Sequence, residues 1–160
     1  MNQSNTDQSL RDHVLYVLRG EGAHLTFDDF VADFPVTRCG ERVAGLPYTA
    51  WQVLEHMRIA LWDIVEFSRD AKHVSPKWPE GYWPPKDQLG TPELWNETVA
   101  KFRNDLKQMQ ELVADSATDL LTTIPHGTGQ TILREALLIA DHNSYHLGVL
   151  VAMSRVLKEA

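Results

Sequence analysis

The sequence predicts an all-α protein, a four-helix bundle folded as a single domain over residues 1–160. Three observations carry that prediction. Four long segments place apolar residues at helical spacing. The segments between them hold most of the Pro and Gly and read as turns and loops. No internal repeat, low-complexity tract or linker divides the chain, and 160 residues suffice to bury a core without disulfides.

The first helix is expected from about Asp7 to Leu18, with Leu10, Val14, Val17 and Leu18 on its apolar face and Gly20 and Gly22 ending it. A short helix follows, capped by Thr26, faced by Phe27, Phe30 and Val31, and stopped before Pro35. The second long helix starts at Thr49-x-x-Gln52, a capping box, and runs to about Asp70. Its apolar arc is Val53, Met57, Ala60, Leu61, Ile64 and Phe67, with His56 inside it. Glu55, Asp63, Glu66 and Asp70 are assigned to the opposite side.

The third long helix opens on Thr91-Pro92-Glu93: a cap, a proline at the first position and a carboxylate in the first turn. Trp95, Val99, Phe102, Leu106, Met109 and Val113 give it a seam suited to antiparallel packing, and it ends near Ala114. The fourth runs from about Thr131 to Lys158. It is apolar around much of its circumference, so it is expected to be the most buried, with Gly148 packed closely against a neighbour.

Composition excludes several classes. A net charge of −7 argues against nucleic acid as a partner, because phosphate binding needs a basic surface. The longest apolar run, Ala136–Ala140, is far short of a membrane span. The N-terminal MNQSNTDQSLRD has no apolar core of a signal peptide, and Cys39 has no second cysteine to pair with. These features fit a soluble cytoplasmic protein.

His142-x-x-x-His146 is the main chemical signal. Residues four apart share a helix face, about 5–6 Å apart at Cβ, and two imidazoles so placed can converge on one ion. The same spacing also suits two half-buried histidines hydrogen-bonded to neighbours. His56 adds a third imidazole from the apolar arc of another helix, and bundle cores are where facing helices bring ligands together. Three neutral ligands would hold one divalent ion, leave a coordination position open and leave its 2+ charge to acidify a bound water or thiol. Glu135, two turns before His142, is the best-placed carboxylate for a supporting role, although no convincing general base accompanies the histidines.

His13, His24, His73 and His126 read as structural, and Cys39 as an inert loop thiol whose pKa Arg38 and Arg42 could lower modestly. The loop from Ser75 to Gly90 holds four prolines with Trp78, Tyr82 and Trp83. The favoured reading is that its rings cover the end of the core. The other is that they wall a pocket over the metal.

With these residues placed, the chain resembles the DinB-like superfamily of helical-bundle metalloproteins over nearly its whole length. The resemblance rests on the His of Trp51-Gln52-Val53-Leu54-Glu55-His56-Met57 and on Leu133-Arg134-Glu135-Ala136 through Asp141-His142-Asn143-Ser144-Tyr145-His146-Leu147-Gly148. It implies that His56, His142 and His146 are metal ligands, with Zn or Ni the usual ion. It implies an up-up-down-down bundle and a homodimer. Val149 stands where many relatives carry Gln, which weakens any polar supporting role there. Characterised relatives include transferases and isomerases that use low-molecular-weight thiols such as bacillithiol or mycothiol. The resemblance does not fix one reaction; the leading expectation is a metal-dependent enzyme acting on a small molecule, such as a thiol S-transferase. A metal-dependent hydrolase and a non-catalytic, metal-binding stress-response module are the alternatives.

Overall fold

The computed structural model describes residues 3–159, and among them every regular element is helical. The helices are α1 (Gln3–Leu18), α2 (Phe27–Asp33), α3 (Ala50–Arg69), α4 (Pro92–Ala114) and α5 (Ile132–Glu159). Single 3-10 turns lie at Val36–Arg38 and Glu80–Tyr82.

The expected start signals act as their chemistry requires. Thr26 caps α2 by accepting from the Asp29 amide. Thr49 and Gln52 form a reciprocal capping box on α3. Thr91 accepts from the Leu94 amide at the start of α4, with Pro92 next to it.

Four long helices surround a core whose fully buried members include Leu54, Met57 and Leu61 of α3, Trp95, Phe102 and Met109 of α4, and Ile139, Leu150 and Met153 of α5. α3 is the most buried helix, with 12 of its 20 residues buried against 9 of 28 in α5, which corrects the expectation for α5. The apolar residues of α5 exceed what the bundle covers: Leu137 and Tyr145 are exposed on it. Gly148 faces open space, so it does not mark a close approach of helices within this chain.

Side-chain pairs fix the relative directions. Arg11 of α1 reaches the Val113 carbonyl near the end of α4, whereas Leu18 borders a small cavity with Phe102 nearer its start, so α1 and α4 are antiparallel. Trp51 bonds Thr98 and Arg69 bonds Gln108, so α3 and α4 are parallel. His56 meets His146, while the Phe67 carbonyl accepts from His126 just before α5, so α3 and α5 are antiparallel. In chain order the directions are up, down, down, up, which corrects the up-up-down-down order. The cause is the segment between α3 and α4. A 20-residue helix is about 30 Å long, and the 22 residues from 70 to 91 can span that length when extended, at roughly 3.3–3.6 Å each. The chain returns along α3 and starts α4 at the same end.

Gly90 makes that return possible. Its φ is +104°, and a Cβ there would lie 2.5 Å from the Cβ of Trp51. The backbone thus lies directly on the first turn of α3. At the other end of the bundle the buried guanidinium of Arg11 donates to the carbonyls of Val113, Asp115 and Thr118, at and just beyond the end of α4 where helical partners run out.

Candidate metal centre

The antiparallel pair α3 and α5 positions the site. His56 lies in the second turn of α3 on the core side of the helix and is 4% exposed. His142 and His146 project from the middle of α5, one turn apart, and are half-buried. The structure brings all three expected residues together. The Nε2 of His56 lies 3.2 Å from the Nε2 of His142 and 3.2 Å from that of His146. One ligand atom from each falls within 4.8 Å of the others.

A single hydrogen bond sets the tautomer of His56. Its Nδ1 lies 2.7 Å from the Tyr82 carbonyl, which can only accept, so Nδ1 carries the proton and Nε2 presents a lone pair. That lone pair faces two further ring nitrogens, and it cannot accept fully from both. A cation at the convergence satisfies it better than a hydrogen bond to either. Bonds of about 2.0–2.1 Å in a tetrahedral site set ligand nitrogens roughly 3.3 Å apart, so the donor set fits a first-row divalent ion. Burial lowers the pKa of all three imidazoles. For His142 and His146 the value falls to about 4, with neighbouring imidazoles adding to the shift. The nitrogens are therefore available as neutral ligands at neutral pH.

The aromatic loop walls this centre in addition to covering the core, the favoured reading, since Trp83 also packs against the core. The Trp83 ring stacks on His56 at 4.0 Å between centroids and 1° between planes. Tyr48 stacks on Trp83 at 4.2 Å. Tyr82 supplies the carbonyl and points its phenol at Asp63, 2.6 Å from Oδ2. Burial, followed by the Asp63 carboxylate, pushes the Tyr82 phenol up to about 12, so it remains a donor.

A cleft of about 410 Å³ borders His56 and His142. Ala60, Ile64, Phe67, Leu138 and Trp78 give it apolar walls, with Asp63, Ser75, Tyr82, Gln130, Arg134 and Glu135 as its further polar groups. Glu135 is 3% exposed and pairs with Arg134 at 2.6 Å. It lies in the cleft but outside the three-histidine cluster.

Sequence reading missed Asp63, and it placed Tyr82 and Trp83 beside the metal only under its less favoured reading of the loop. Asp63 had a signal: it is seven residues after His56, about 20° from two full turns, and hence on the same face. Tyr82 acts through a backbone carbonyl, which no residue type announces. Of the histidines read as structural, His73 donates to Asp63 at 2.7 Å and His126 to the Phe67 carbonyl at 2.7 Å. Cys39 is fully buried, and burial raises its pKa to about 11, so the expected lowering by Arg38 and Arg42 does not occur.

A helical bundle with three convergent imidazoles, two of them lining a cleft, defines the class. The family model of the DinB superfamily matches residues 11–150, and the chain belongs to that superfamily. Comparison with curated proteins gave no match, and neither did comparison with solved structures. Among the described residues no helix is long and apolar enough to cross a membrane.

Proposed function

We propose that the chain binds one divalent metal ion, Zn or Ni, through His56, His142 and His146, and that it is an enzyme acting on a small molecule at that ion, with a low-molecular-weight thiol as co-substrate. The observation that supports this reading best is the position of the converging nitrogens at the edge of a cleft of about 410 Å³. A closed structural site would surround its ion with protein ligands, whereas three ligands beside a cleft leave room for an exogenous one. When bound, the ion would lower the pKa of a thiol or water that it holds.

The chain's own residues do the remaining work. The Tyr82 carbonyl orients His56, and Trp83 covers the outer face of that ring. Phe67, Leu138 and Trp78 offer an apolar bed for an electrophile, and Arg134 offers a cationic group among the cleft residues. Glu135, engaged with Arg134, is poorly placed to act as a free base, which favours a thiol nucleophile over water.

The test is to load the protein with Zn or Ni and assay it against a panel of thiols, electrophiles and esters. Thiol conjugation that is lost in His142→Leu is the expected result. Ester hydrolysis without a thiol requirement would replace the transferase with a hydrolase. Stoichiometric metal with no turnover would overturn the enzymatic reading and leave a binding module.

A further inference from the structure

We propose that Asp63 is a positioning residue for the metal centre, acting on His56 through Tyr82. The inference rests on the reading of the three histidines as metal ligands, and it concerns residues outside that set.

His56 and Asp63 lie two turns apart on one face of α3, and Tyr82 bridges them. Its carbonyl receives the Nδ1 proton of His56 at 2.7 Å, and its hydroxyl donates to Oδ2 of Asp63 at 2.6 Å. The other carboxylate oxygen receives Nε2 of His73 at 2.7 Å. Asp63 is 7% exposed, so these bonds form largely away from water. The 3-10 turn Glu80–Tyr82 is thus fastened to α3 at two points, one of them the metal-facing imidazole.

The arrangement has a direct mechanical consequence. The loop from 70 to 91 runs from the end of α3 back to the end of the bundle where α3 begins, and it has no regular structure beyond that one turn. The carbonyl of Tyr82 can hold the His56 ring only if the loop itself is held. Its hydroxyl bond to Asp63 supplies one anchor, and Trp83, clamped between Tyr48 and His56, supplies another. Carboxylates and carbonyls that orient metal-bound histidines commonly change affinity by 10- to 100-fold when removed. Here the carboxylate stands one residue further out and orients the carbonyl.

The test measures Co(II) affinity by chelator competition, together with the visible spectrum of the Co(II)-loaded protein. The variants are Tyr82→Phe, Asp63→Leu and Asp63→Asn. Tyr82→Phe removes one hydroxyl and keeps the carbonyl, so it remains informative if Asp63→Leu fails to fold. The expected result is a loss of roughly tenfold in affinity for Tyr82→Phe and Asp63→Leu. Altered Co(II) band intensities should accompany that loss. Asp63→Asn keeps an acceptor for the phenol and should restore affinity to within about threefold, which general destabilisation would not produce. Wild-type affinity and spectrum in Tyr82→Phe would overturn the proposal while leaving the metal site intact. A wild-type protein that binds no Co(II) would overturn both.

Discussion

The ring of Trp83 lies parallel to that of His56, 1° between planes and 4.0 Å between centroids, with Tyr48 on its other side. A loop residue thereby fixes the plane of an imidazole that a helix only places. The metal-facing nitrogen is thus set by helix, loop carbonyl and aromatic stack acting together, and the first prediction follows from that division of labour.

Replacing a ligand should cost far more than replacing a support. His142→Leu and His146→Leu should each abolish tight binding of Zn or Ni, because two nitrogens remain where three converge. The apo fold should survive, since both residues are half-buried and leucine suits their apolar neighbours. Isothermal titration on folded variants, checked by circular dichroism, measures this. Unchanged affinity in either variant would remove that residue from the ligand set.

The pH dependence has a defined sign. In the unfolded chain His142 and His146 take up protons near 6.5, but in the fold burial holds them neutral down to about 4. Between those values the unfolded state binds more protons, so stability is present above about 6.5 and is lost as pH falls toward 4. Thermal melts of the apo protein from pH 7 to 4.5 should show a falling Tm. A His142→Leu/His146→Leu double variant should show a shallower fall, which separates these groups from the carboxylates. A bound ion should steepen the wild-type slope, because protons compete for its ligands. Equal slopes for wild type and double variant would contradict the assignment.

Cys39 should be silent toward thiol reagents in the native protein. It is fully buried, and desolvation raises its pKa to about 11, so little thiolate forms at pH 8. An aromatic disulfide reagent should label it only after denaturation. Rapid labelling of the native state would show that the loop around Cys39 opens readily.

Arg11 should matter for stability and not for the metal. Arg11→Met keeps much of the side-chain volume but leaves the carbonyls of Val113, Asp115 and Thr118 without this donor. A cost of about 2–4 kcal/mol is expected. For a chain of this size that corresponds to a fall in Tm of roughly 5–15 °C. Metal affinity should remain at the wild-type level, because the clamp sits at the far end of α4 from the histidines.

What the sequence made legible was local. The i,i+4 pair His142 and His146, the Thr49 capping box and Pro92 at a helix start are written within a few residues, and each took the expected form. His56 was legible because it interrupts an apolar arc. The helix directions were not, because they depend on where a loop of 22 residues returns, and that is decided by the contact of Gly90 with Trp51. The supporting groups were hidden for a related reason. Asp63 is assigned by the sequence to the side opposite the apolar arc, although its spacing from His56 places it on the same face as that ligand. Its burial is tolerated because Tyr82 and His73, 19 and 10 residues away, satisfy both oxygens.

The central claim is that three imidazoles from two helices hold one ion. Elemental analysis of the purified protein, followed by titration of chelator-treated protein with Zn and Ni, tests it most directly. The account predicts about one equivalent of divalent metal per chain, removed by chelator, restored by titration and absent in His56→Leu. Wild-type protein that carries no metal and takes none up on titration would contradict it.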